Sequence, residues 1–163
     1  MLKLFKIFLT TLLLSSLNAH AELLSARVVG VSDGDTITVL DNNNSQYKVR
    51  LSGIDAPEKK QPFGQASKQS LSELVYDKQV IVDWHKNDRY GRIVGKVLLN
   101  RADINLMQVK RGLAWHYTKY QKEQPSEDRL IYLNALKDAQ KAKQGLWTEP
   151  NPIAPWDWRK INK

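Results

Sequence analysis

Between residues 26 and 51 apolar and polar positions alternate with a period of two. Ala26-Arg27-Val28-Val29-Gly30-Val31 reads as one strand and Thr36-Ile37-Thr38-Val39-Leu40 as its partner. Ser32-Asp33-Gly34-Asp35 supplies the turn between them, with Gly34 free to take the positive φ of a tight reversal. Asp41-Asn42-Asn43-Asn44 makes a second turn, and Gln46-Tyr47-Lys48-Val49-Arg50-Leu51 alternates as a third strand. The spacing changes after Pro62. From about Gln65 to Tyr76, Leu71, Leu74 and Val75 recur at three-and-four intervals, which predicts a helix. Gln79 to Trp84 and Ile93 to Leu99 alternate again, joined by the polar segment His85 to Arg92.

Helical spacing returns in the C-terminal half. Asp103 is placed to cap a helix carrying Ile104, Leu106, Met107 and Val109, which Gly112 would end. A last helix is predicted from Ser126, with Glu127 and Asp128 in its first turn, a stripe of Leu130, Leu133, Leu136 and Ala139, and Gly145 as its stop. Five short strands followed by helices predict an α+β chain: a five-stranded Greek-key barrel of the oligonucleotide-binding (OB) type with about three helices. No repeat, low-complexity tract or linker divides the chain.

The first twenty-one residues follow a different rule. Lys3 and Lys6 precede the apolar run Ile7 to Leu14, and Ala19-His20-Ala21 ends it with a small-x-small site. That three-part order is the pattern of a cleaved secretory signal, and the run is shorter than the ~20 apolar residues a membrane span needs. The expected division is therefore a signal peptide over 1–21 and one folded domain over 22–163, periplasmic or secreted, with no membrane segment in the mature form. Loss of Lys3 and Lys6 lowers the net charge of the 163-residue chain from +8 to +6. A basic exported domain fits either a merely solvated cationic surface or a polyanionic partner.

Composition narrows the chemistry. With no cysteine there is no disulfide scaffold, thiol nucleophile or cysteine-ligated metal, and three histidines leave little for a histidine cage. A metal here would be held by oxygens, hence a hard cation such as Ca²⁺ or Mg²⁺. Asp35 ends a tight turn and Asp55 follows a strand, each also readable as an ordinary turn or cap residue. Arg50 lies in an apolar strand; pointed into a barrel it would need an anion, whether a carboxylate or a substrate phosphate. Arg92 follows the turn Asp88-Arg89-Tyr90-Gly91 and is otherwise a solvated arginine. Together these residues make sense for phosphodiester cleavage. A cation between Asp35 and Asp55, completed by a carbonyl such as that of Ala56 and by water, would neutralise phosphate oxygens. Arg50 and Arg92 would grip developing charge, and Glu58, not itself a ligand, would act on the attacking water.

The segments carrying these residues are Asp33-Gly34-Asp35-Thr36, Arg50-Leu51-Ser52-Gly53-Ile54-Asp55-Ala56-Pro57-Glu58 and Asp88-Arg89-Tyr90-Gly91-Arg92. With Asp103-Ile104-Asn105-Leu106, Gly112-Leu113-Ala114-Trp115, Gly145-Leu146-Trp147 and Pro155-Trp156-Asp157-Trp158-Arg159 they form an ordered set across nearly the whole mature chain. In that set the sequence resembles the staphylococcal (micrococcal) thermonuclease family, in its shorter secreted Gram-negative and plasmid-borne form. The resemblance implies an OB-fold barrel with three helices and a Ca²⁺-dependent endonuclease acting on DNA and RNA. It implies attack that leaves 3′-phosphates, Asp35, Asp55 and the carbonyl of Ala56 as metal ligands, and Arg50, Glu58 and Arg92 as the catalytic set. Ala56 stands where the best-known member has threonine, and the loop Lys59 to Phe63 is shorter. Tyr117 and Tyr120 match a tyrosine pair that flanks the nucleotide in that family. The chain is expected to work as a monomer.

Two other classes remain to be weighed. A non-catalytic nucleic-acid-binding module on the same barrel should have lost part of the charged set, yet Asp35, Arg50, Asp55, Glu58 and Arg92 are all present. A cationic protein for anionic glycan or lipid would not need paired aspartates beside arginines. Trp147, Trp156 and Trp158 read as indoles that pin a C-terminal tail, in preference to base-stacking platforms. His85 and His116 read as surface or structural residues, and Lys137 to Lys143 as a solvated helix face.

Overall fold

The computed structural model describes residues 22–162, so the expected signal segment lies outside the described residues. Strand β1 (Glu22–Asp33) is longer than its alternation predicts, because it serves two neighbours. Its first half pairs with β5 (Gln79–Asn87), Glu22 opposite Trp84 and Ala26 opposite Val80. Its second half pairs with β2 (Thr36–Asp41), Ala26 opposite Asp41 and Asp33 opposite Thr36, with two register shifts that bend the strand. β2 continues to β3 (Gln46–Leu51), and β5 to β6 (Ile93–Leu99). A parallel ladder between β3 and β6, Val49 beside Ile93 and Leu51 beside Gly95, closes the ring in the order β1-β2-β3-β6-β5. This is the expected five-stranded OB-type barrel. Closure removes the free sheet edges that a meander would leave.

The inward positions of these strands, among them Val28, Ile37, Val39, Val49, Leu51, Val82 and Val97, are buried and form one core. Helix α1 (Gly64–Val75) adds Leu71 and Val75, and α2 (Ile104–Lys110) adds Ile104 and Val109. Asp103, at the end of the short strand β7 (Ala102–Asp103), caps α2 as its position predicts: Oδ1 accepts from the Leu106 N–H at 2.9 Å. Asn105 is fully buried. Its Oδ1 accepts from the Val97 N–H at 3.0 Å, and its Nδ2 donates to the carbonyls of Ser52 at 3.0 Å and Gly95 at 3.2 Å. One side chain thus ties α2 to β6 and to the loop after β3.

Helix α3 (Ser126–Lys141) begins where expected, but its buried stripe is Tyr132, Ala135 and Ala139, and Leu130 is exposed. Nor does Gly145 stop the helix. Lys143 takes the left-handed conformation at φ 51°, and Gly145 instead allows a close approach to the Gly112 carbonyl, where a Cβ would collide. Two 3₁₀ turns, Thr118–Glu123 and Gly145–Thr148, flank α3. The tail adds a fourth helix, α4 (Pro155–Ile161), where about three helices were expected.

Candidate active site

The site forms where the β1–β2 turn meets the loop after β3. Gly34 does not take the positive φ expected of it; its neighbours Ser67 and Ala56 are so close that a Cβ would overlap them. Packing against α1, and not turn geometry, accounts for the glycine. Gln108 of α2, fully buried, donates to the Gly34 carbonyl at 2.9 Å and the Ser67 carbonyl at 3.0 Å, which holds the turn in place. Asp35 then projects beside β3: its carbonyl accepts from the Leu51 N–H at 2.8 Å, and its Oδ2 from the Ala56 N–H at 2.6 Å.

Arg50 lies opposite Thr36 in the β2–β3 ladder. Alternation with buried Val49 and Leu51 turns its side chain away from the barrel interior, so the inward-pointing reading is corrected. An anion partner is nevertheless met. Nη1 lies 3.2 Å from Asp35 Oδ2 and Nη2 lies 2.9 Å from Asp55 Oδ1, so one guanidinium bridges the two aspartates. Nη1 also donates to the carbonyls of Leu51 and Ile54, both at 2.9 Å. Asp55 is held by the two-residue strand β4 (Ile54–Asp55), paired with β8 (Trp115–His116).

Burial pushes the Asp35 carboxyl up to about 7; Arg50 and the Ala56 N–H work against that shift, while Asp33 and Asp55 add to it. The negative field suits a cation. Four carboxylates, Asp33, Asp35, Asp55 and Glu58, gather here around only two guanidiniums, those of Arg50 and Arg159. All the available donors are hard oxygens, and among the described residues no hydrogen bond is made to the Ala56 carbonyl. Among the described residues no three histidine, cysteine or acidic side chains form a ready cage, so carbonyl and water would have to complete the shell.

Glu58 sits at the head of the loop before α1, where its N–H donates to Gln61 Oε1 at 3.0 Å. It does not touch Arg50. Its partner is Arg159 of α4, a residue to which the sequence reading gave no role. Arg159 Nη1 lies 2.6 Å from Glu58 Oε1 and Nη2 lies 2.8 Å from Asp55 Oδ2. Arg92 stands apart from the carboxylate cluster. Its Nε and Nη2 each lie 2.7 Å from Asp88 Oδ2. Burial disfavours the charged Asp88, but bonds from Arg92 and from the Tyr90 N–H outweigh it and lower its pKa. The β3–β6 register pairs Arg50 with Val94, and Arg92 lies two positions before Val94, in the turn just outside β6.

Five aromatic residues near the C-terminal tail form one cluster. Tyr117 stacks on Trp156 with centroids 5.0 Å apart and planes 3° off parallel, and meets Tyr120 edge-on at 4.9 Å. Trp115 packs edge-on against Trp147 at 4.4 Å and Trp156 at 5.6 Å. Of the three indoles expected to pin the tail, Trp147 and Trp156 join this cluster, and among the described residues Trp158 makes no aromatic contact. Burial chiefly, with the nearby Asp55 charge, raises the Tyr117 pKa. His116 is buried, bonded through Nε2 to Gln124 Oε1 at 2.9 Å, and His85 is exposed.

The staphylococcal nuclease homologue family matches residues 48–149. The chain is 48% identical over 161 residues to a protein of Haemophilus influenzae named "Uncharacterized endonuclease", covering 97% of this chain and 87% of that one. It is 40% identical over 134 residues to an Escherichia coli protein of the same name, covering 82% and 83%. It is 38% identical over 145 residues to the "Micrococcal nuclease" of Shigella flexneri, covering 83% and 80%.

Proposed function

Because the chain belongs to the staphylococcal nuclease family and is thus a nuclease, we propose that it is a Ca²⁺-dependent endonuclease of DNA and RNA that leaves 3′-phosphates. The observation that carries this reading is the single guanidinium of Arg50 bridging two buried aspartates, Asp35 and Asp55, at the rim of a nucleic-acid-type barrel. Those two carboxylates and the Ala56 carbonyl would hold the cation. When bound, Ca²⁺ supplies charge neutralisation at the phosphodiester oxygens.

The remaining roles fall to the chain's own residues. Arg50, fixed by two carbonyl bonds, presents a preorganised fork to the phosphoryl oxygens. Glu58, partly exposed and joined to Asp55 through Arg159, accepts a proton as water adds to phosphorus, and the bond from phosphorus to the 5′-oxygen breaks with that oxygen taking a proton from solvent to leave as a hydroxyl. Arg92, held by Asp88 at rest, meets the developing charge from the turn before β6. Tyr117 and Tyr120 would flank a nucleotide. We assign residues 1–21 as a cleaved export signal, the mature protein to the periplasm or medium, and a monomeric state to it. No helix among the described residues is long and apolar enough to cross a membrane.

The test is cleavage of plasmid DNA and of RNA by the 22–163 protein, with Ca²⁺ and then with chelator, followed by end-group analysis. We expect loss of cleavage with chelator and 3′-phosphate ends on both substrates. Full-rate cleavage in chelator would refute the cation reading, and 5′-phosphate ends the direction of attack.

A further inference from the structure

Each oxygen of Asp55 already accepts a guanidinium. Oδ1 receives Arg50 Nη2 at 2.9 Å and Arg159 Nη1 at 3.2 Å; Oδ2 receives Arg159 Nη2 at 2.8 Å. A cation that ligates Asp55 therefore competes with a guanidinium for the same oxygens, with Oδ2 facing Arg159 and Oδ1 facing both arginines. The two arginines differ in how firmly they are held. The Arg50 side chain is 16% exposed and is anchored by the Leu51 and Ile54 carbonyls as well as by carboxylates. The Arg159 side chain is 42% exposed, and among the described residues its bonds run only to Asp55 and Glu58. It is the exchangeable one.

Its presence is built into the architecture. Ala154 and Pro155 at the start of α4 are buried, Gln61 donates to the Ile153 carbonyl at 2.6 Å, and Trp156 stacks on Tyr117. Trp156 and Arg159 are three residues apart, so they share a helix face, and docking of the indole delivers the guanidinium to the carboxylates. The planar fork suits the task, since it reaches two carboxylates at once where an ammonium offers a point charge.

We propose that Arg159 is a resident counter-cation of this site, which occupies Asp55 Oδ2 until a divalent cation displaces it and so sets the affinity for that cation. The proposal rests on the reading of Asp35 and Asp55 as cation ligands. It makes the C-terminal helix part of the active site and gives Arg159 a positioning role distinct from the phosphate contacts of Arg50 and Arg92.

The test is isothermal titration of CaCl₂ into the chelator-stripped mature protein, comparing the unaltered chain with Arg159→Gln and Arg159→Lys. Thermal melts in chelator establish that each variant is folded. Removing a positive charge within a few ångströms of the ligand oxygen should tighten Ca²⁺ binding roughly tenfold in Arg159→Gln. Arg159→Lys, which keeps the charge, should stay within about threefold of the parent. Binding by Arg159→Gln alone would also support the proposal. Equal or weaker binding in Arg159→Gln, with the parent binding normally, overturns it and leaves the cation reading intact. No binding by either protein overturns both.

Discussion

Asp35→Asn should stabilise the cation-free protein while abolishing its response to Ca²⁺. The unfolded chain releases the Asp35 proton near the ordinary 3.8, whereas the fold retains it to about 7, chiefly through burial. Between those values the native state binds more protons than the unfolded state, so Asp35 makes stability fall as pH rises through that window. The gap corresponds to roughly 4 kcal/mol of cost above pH 7. Asparagine avoids that cost but turns an amide toward Arg50 in place of a carboxylate, so the net gain should be about 2–4 kcal/mol. For a domain of this size that is a rise on the order of 10 °C in Tm. Calorimetric melts in chelator at pH 4, 5.5, 7 and 8 read the effect: full gain at pH 7 to 8, shrinking through pH 5.5 and nearly gone at pH 4. Saturating Ca²⁺ should then raise the Tm of the parent but not of the variant. A variant melting at or below the parent at pH 8 in chelator would refute the argument that a buried, under-compensated carboxylate defines this site.

Asn105→Ala removes three buried hydrogen bonds to Val97, Ser52 and Gly95, and should cost about 3 kcal/mol in denaturant unfolding; a loss under about 1 kcal/mol contradicts its bridging role. Arg50→Lys should lower kcat roughly a hundredfold or more and also lower Tm, because Arg50 joins two aspartates and two carbonyls. Arg92→Lys should lower kcat on the same scale with little change in Tm, since its partly exposed pair with Asp88 is worth little; near-normal turnover would remove it from the catalytic set. Terminal sequencing of the exported protein should begin at Glu22, and a chain beginning at Met1 would refute the signal assignment.

Much of this molecule was legible along the chain because its causes are local. Two-residue alternation gives the bounds of β3, the Asp103 side chain caps the helix three residues on, and acids at Glu127 and Asp128 mark the start of α3. The ordered motifs likewise carried the family, because each is a short backbone segment with its functional residue inside it. What the chain does not show locally is which ends meet. Barrel closure by the β3–β6 ladder brings the start of β6, next to Arg92, beside β3, yet Asp88 claims the Arg92 guanidinium, a choice made by turn geometry. Leu130 has helical spacing but faces solvent, because the stripe that packs is chosen by what lies opposite, here β8 and α2. Gly34 is demanded by Ser67, thirty-three positions on, and not by its own φ. Arg159 is the clearest case. Nothing within its own segment marks an arginine among tryptophans as a partner of carboxylates about a hundred residues earlier, and only docking of α4 through Trp156 and Gln61 brings them together. Periodicity and capping are settled within a few residues, while the charge balance of a buried site is settled by every segment that folds onto it.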